Sequence, residues 1–185
     1  MQNDQIVDPE AVIEFWFSEL SEEDWFVKNE DLDRQIERRF GATHRALLRS
    51  VGPEWHENAE TRLAAIIVLD QFSRNIYRDT PYAFAADPLG LREARLALEL
   101  GADAEVHPRK RLFFYLPFEH SENMDDQNTA VRLCEALGND TYLRYAEAHR
   151  DVIAEFGRFP HRNSILARPS TKEELEYLAK PDSGF

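Results

Sequence analysis

Apolar residues recur along this chain at three- and four-residue spacing from near its start to near its end. In AVIEFWFSEL, Val12, Phe15, Trp16 and Leu20 fall on one helical face, and Asp8-Pro9 supplies a cap and a first-turn proline before it. Residues 31–49 read as a second helix, with Leu32, Ile36, Phe40 and Leu47 inward and Gly41 as a weak point. Residues 58–77 are the most apolar stretch, and the first half is hydrophobic on every side, the mark of a central helix surrounded by others. Asp87-Pro88 opens a further helix that Gly101 closes. Pro108 starts RKRLFFYL, which Pro117 is expected to end or kink.

Residues 125–137 form the next helix, closed by Gly138. Tyr142, Tyr145, His149, Val152, Ile153 and Phe156 then mark the core face of a long helix ending at Gly157. Ser170-x-x-Glu173 and Thr171-x-x-Glu174 are overlapping candidates for a capping box before LEYLA. No segment alternates with period two, so no sheet is expected. The expectation is an all-α fold of about eight helices packed as antiparallel pairs, in a single domain over residues 1–185.

Charge and composition narrow the function. The net charge is -13, which disfavours a nucleic-acid partner, because phosphate binding needs a broad basic surface. Residues 1–60 hold 15 acidic and 6 basic side chains, so the basic residues are free to cluster later in the chain. Cys134 is the one cysteine and lies in an apolar pattern, as a buried structural thiol would. The longest apolar run, LAAIIVL, is far too short to span a bilayer, and MQNDQIVDPE has neither the basic nor the apolar region of an export signal. These readings place the protein in the cytoplasm, with no membrane partner; the oligomeric state is left open.

Three polar clusters interrupt apolar surroundings. DQFSRNIYR (70–78) puts Asp70, Arg74 and Arg78 on one stripe, either as a simple ion-pair line or with Arg74, Asn75 and Arg78 lining a pocket. LPFEHSE (116–122) sets Glu119 beside His120 after a proline, where a carboxylate can fix an imidazole's tautomer. FGRFPHRNSILAR (156–168) follows the inward-facing His149 and offers Arg158, His161, Arg162 and Asn163 with no acidic residue among them. Arg158 suits a helix C-cap, whereas Arg162 and Asn163 lie beyond the last turn.

Those three blocks, in this order, with FWF at 15–17 and STKEE near the end, resemble the signature blocks of a bacterial family known as domain of unknown function 924. The resemblance implies a TPR-like, all-helical fold and carries no activity with it. It also marks one departure: a proline usually stands where this chain has Ser73. Without that proline the helix from residue 58 could run straight through to Tyr77.

Two function classes follow. In one, Arg74, Asn75, Arg78, His149, Arg158, Arg162 and Asn163 bind a small phosphorylated or carboxylated ligand. His120 or His161 would then be the acid–base group, with Glu119 orienting it. In the other, the protein is an interaction scaffold with Trp16, Trp25 and Trp55 as possible anchors. The charged clusters would then be structural networks, with Asp70, Glu119 and Glu122 as internal counter-ions. The histidines lack metal-ligand spacing, Ser121 and Ser164 lack a nucleophile elbow, and no cofactor is implied.

Overall fold

Pro9 takes the first turn of helix α1 (Pro9–Glu14), where the N–H that proline lacks would have had no partner. The computed structural model describes residues 5–181, 183 and 184; residues 1–4, part of the stretch read as lacking an export signal, lie outside the described residues. All regular structure among the described residues is helical, and eight α-helices there have six residues or more. None of them is long and apolar enough to cross a membrane. The chain divides into two compact units, one of Met1–Arg78 with Tyr82–Pro117 and the other of Asp79–Pro81 with Phe118–Phe185.

In the first unit, α1 widens into a π-turn over Phe15–Glu19 and is followed by α2 (Glu30–Leu47). Gly41 does not break α2, because Leu32, Ile36, Phe40 and Leu47 bury one continuous face. Then α3 (Ala59–Ile67), a π-turn (Val68–Phe72) and α4 (Ser73–Ile76) form one continuous helical path. Every residue from Leu63 to Phe72 is at most 8% exposed, as the all-round apolar pattern requires of a central helix. α1 packs on α3, α2 packs on α4 and the second π-turn, and α3 packs on α5 (Asp87–Glu99). α6 (Ala102–Glu105) and most of α7 (Pro108–Glu119) complete this unit.

The helix does pass through Ser73, by way of a π-turn. The π-turn inserts a wider ring at Val68–Phe72, and the Ser73 hydroxyl donates to the Leu69 carbonyl at 2.6 Å. The three tryptophans are 1%, 5% and 1% exposed at Trp16, Trp25 and Trp55, so they serve the core and not a partner. Trp25 Nε1 donates to the Trp16 carbonyl at 2.8 Å, which satisfies its polar edge. Pro117 neither ends nor visibly halts α7, which runs on to Glu119. A proline in a last turn forfeits a single backbone bond, and the buried run Leu112–Phe118 holds the helix in place.

The second unit is built on a helical hairpin, α8 (Met124–Leu137) and α9 (Asp140–Phe156). Gly138 at φ 72° turns the chain out of α8, and Asn139 caps α9 through the amides of Thr141 and Tyr142. Gly157 at φ 69° ends α9; a 3₁₀ turn (Pro160–Arg162) and α10 (Lys172–Leu178) follow. Val152, Ile153 and Phe159 form a core, with Phe156 and Tyr177 against it. The face of α9 runs through Ala146, His149 and Ile153, so Tyr145, one residue off that line, is 59% exposed and lies outside the core. Of the two capping boxes, Thr171 with Glu174 is the one formed.

Candidate functional site

The three polar blocks behave differently once folded. In the first unit each cation of DQFSRNIYR meets carboxylates. Arg74 lies 3.2 Å from Asp70 Oδ1 and donates through both Nη atoms to Asp87 at 3.0 and 3.1 Å. Arg78 donates to Asp33 in a fork at 2.6 and 2.7 Å, and Asn75 donates to the same carboxylate at 2.8 Å. Burial opposes the charge on Asp33, but the hydrogen bonds from Arg78 and Asn75 prevail and hold its carboxyl below the usual range. Behind this line, buried His44 pairs through Nε2 with the Ser73 hydroxyl at 2.6 Å. Because that hydroxyl already donates to Leu69, the imidazole is the donor and the serine is not primed as a nucleophile.

The second and third blocks come together in the second unit. Arg162 Nη2 donates to the His120 carbonyl at 3.0 Å, which ties FGRFPHRNSILAR to LPFEHSE. The Phe159 ring is the hub of the cluster. The Arg162 guanidinium lies 4.6 Å over it, and the rings of His161 and His149 sit 5.5 and 5.6 Å away, centre to centre. The His120 ring is 6.3 Å from that of His149. Arg162, His149 and Glu119 are buried, while His120 and His161 are half-buried and reachable from solvent.

His149 Nδ1 donates to the Tyr145 carbonyl at 2.8 Å and faces Glu119 Oε1 at 3.2 Å. Burial, followed by the charges of His120, His161 and Arg162, pushes this imidazole down to about 3, so it is neutral at ordinary pH. Its contact with Glu119 is therefore one between a neutral ring and a carboxylate oxygen. Glu119 thus faces an imidazole, but it is that of His149, thirty residues on in the chain. Gln127 Nε2 steadies the bend by donating to the carbonyls of Glu119 and Ser121, each at 2.7 Å.

The rest of the third block is neutralised locally. Arg158 donates in a fork to Glu174 at 2.6 and 2.8 Å, and Asn163 donates to the same carboxylate at 3.1 Å. The hydrogen bond from Arg158, against the cost of burial, brings the Glu174 carboxyl down to about 2. Arg168 donates to both oxygens of Glu122, at 2.8 and 3.0 Å, and Glu122 also accepts the Phe159 amide at 2.7 Å. Glu122 is thus a counter-ion, as its position in the sequence allowed. Glu174, Asp33 and Asp87 were not foreseen in that role: Glu174 and Asp87 read as helix-start residues, and nothing local singled out Asp33. Cys134 is fully buried on α8, and burial pushes its thiol up to about 12, which makes it inert. Among the described residues, no three His, Cys, Asp or Glu side chains are placed to hold a metal ion.

The fold and this cluster define an all-helical protein whose hairpin unit brings His120, His149, His161 and Arg162 together near Phe159. The chain belongs to the family described as bacterial protein of unknown function (DUF924), whose model matches residues 12–182. It is similar to a solved structure described as a protein of unknown function, ATU0120, from Agrobacterium tumefaciens. The two are 41% identical, with a TM-score of 0.88, over 92% of this chain and 96% of that one. No curated protein matches.

Proposed function

We propose that the hairpin unit binds a small anion, phosphate or a phosphorylated or carboxylated metabolite, at His120, His149, His161 and Arg162. The observation that carries this reading is the gathering of His149, His161 and the Arg162 guanidinium around the ring of Phe159, with His120 against His149. Two carboxylates accompany them: buried Glu119 faces His149, and Glu122 accepts the Phe159 amide and feels the charge of Arg162. A guanidinium held over an aromatic ring is preorganised for an oxyanion. His120 and His161, reachable from solvent, are the acid–base candidates should the bound anion also react.

A second reading, a structural ion-pair network, is favoured for the other candidates. Arg74, Asn75 and Arg78 are engaged by Asp70, Asp87 and Asp33, and Arg158 and Asn163 by Glu174. Such networks fix how helices pack and need no ligand. The buried, reduced thiol of Cys134 fits a cytoplasmic setting for the protein.

Thermal-shift and calorimetric titration of the full chain with inorganic phosphate, sulfate and small carboxylates tests the anion reading. A saturable stabilisation that falls at least about tenfold in apparent affinity in Arg162→Gln supports it, since hydrogen bonds to charged groups are worth about that much. If none of these anions shifts the wild-type melting temperature, the structural reading holds for the hairpin unit as well.

A further inference from the structure

One pair of titratable side chains in the first unit stands apart from the networks described above. The 3₁₀ turn Pro53–His56 leads toward α3, and Trp55, 1% exposed, anchors it in the core. The next residue, His56, meets Glu93 on α5, the helix that packs on α3, with Nε2 2.8 Å from Glu93 Oε2. The other oxygen of Glu93, a residue only 4% exposed, accepts from Arg92 at 2.8 and 3.2 Å. An ionised carboxylate only accepts, so in the neutral ring the hydrogen sits on Nε2 and the lone pair on Nδ1. No group among the described residues bonds to Nδ1, and the His56 side chain keeps 31% of its surface open to solvent. Two guanidinium groups adjoin the pair. Arg62 Nη2 donates to the His56 carbonyl at 3.0 Å and forms no ion pair among the described residues, and the Arg92 side chain is 60% exposed.

We propose that His56 is a phosphoryl acceptor, whose Nδ1 takes a phosphoryl group from a phosphoramidate, the bond type of a phosphorylated imidazole. A ring held at one nitrogen by a buried carboxylate presents the other as an oriented nucleophile. The Nδ1 lone pair attacks phosphorus and a P–N bond forms. The donor's own P–N bond breaks, and its ammonium group leaves as ammonia with the electron pair. Nε2 keeps its hydrogen, so the ring becomes cationic and its charge faces Glu93 across the 2.8 Å contact. The phosphoryl dianion then lies on a ring beside Arg62 and Arg92, cations suited to its oxygens. Glu93 acts here as a positioning residue, and the site is independent of the anion reading of the hairpin unit.

Incubation of the full chain with phosphoramidate at mildly alkaline pH, followed by mass mapping without acid, tests the assignment. One phosphoryl group is expected on His56, attached at Nδ1 by phosphorus NMR and acquired faster than on the exposed His107. In Glu93→Gln, which keeps the shape and removes the charge, labelling of His56 is expected to slow at least about tenfold while that of His107 is unchanged. Labelling of His56 no faster than of His107, attachment at Nε2, or no label on His56 would overturn the proposal and leave the pair as a tie between the 3₁₀ turn and α5. An unchanged rate in folded Glu93→Gln would overturn it as well. Should that variant not fold, the residue and the nitrogen labelled in the wild type decide alone.

Discussion

The two units share one way of holding arginines, and the second holds one of them differently. In the first, Arg74 and Arg78 are fully committed: one lies against two aspartates, the other forks onto a third that also takes Asn75. In the second, Arg158 and Arg168 are committed in the same manner to Glu174 and Glu122. Arg162 is held differently, over an aromatic ring and against a backbone carbonyl, among histidines. A guanidinium forked onto a carboxylate is fastened by it, whereas Arg162 stands over a ring and against a backbone carbonyl, with Glu122 feeling its charge. The comparison separates arginines that fasten helices from the arginine proposed for recognition.

The largest test of that contrast is Arg74→Ala. It leaves Asp70, 1% exposed, and Asp87 without the cation between them, and unfolding in urea is expected to show a loss of about 3–5 kcal/mol. Anion affinity of the folded fraction should be unchanged. A variant of normal stability that no longer binds phosphate would erase the distinction between the two kinds of arginine.

Next in size is the response to acid, because each unit buries one neutral imidazole. Burial, helped by Arg45, pushes His44 down to about 4, and His149 lies at about 3 for the reasons given above. Both rings take up a proton more readily in the unfolded chain, near the ordinary value of 6.5. The stability they lend is therefore complete above about pH 6.5 and is lost as pH falls toward 4 for His44 and toward 3 for His149. Each ring contributes a slope of up to about 1.4 kcal/mol per pH unit within its window. Unfolding free energies measured from pH 7 to pH 4 should decline more gently in His149→Gln than in the wild type. Equal slopes would mean that the imidazole is already charged in the fold.

The smallest effect expected concerns the two overlapping capping boxes. Thr171 Oγ1 accepts the Glu174 amide at 3.2 Å and Glu174 accepts the Thr171 amide at 2.7 Å, while Ser170 Oγ accepts from Asn163 at 3.1 Å. Thr171→Ala is expected to cost about 1 kcal/mol by chemical denaturation, and Ser170→Ala less. The reverse order would reassign the start of α10.

How far the site was legible depends on what each residue's partner was. Arg158, which read as a C-cap, instead forks onto Glu174 sixteen residues on, whereas His149 on the inward face of α9 followed from helical spacing. The partnership of Glu119 with His149 did not, since it joins residues thirty positions apart across a helical hairpin. Adjacent in sequence, Glu119 and His120 invited pairing, yet neighbours on a helix project in different directions. Glu174 showed the capping role that its sequence motif advertises and concealed the second, as anchor for Arg158 and Asn163.

The sequence by itself determined the helices, their glycine stops at Gly138 and Gly157, the buried centre at 63–72 and the family, because these rest on periodicity, local caps and short motifs. Only the tertiary structure decided which carboxylate neutralises which arginine, that the helix passes Ser73 by way of a π-turn, and that His149, His161 and Arg162 gather on Phe159. Those outcomes depend on side chains distant in the chain meeting in a crowded interior, where burial makes an unmatched charge costly and so selects its partner.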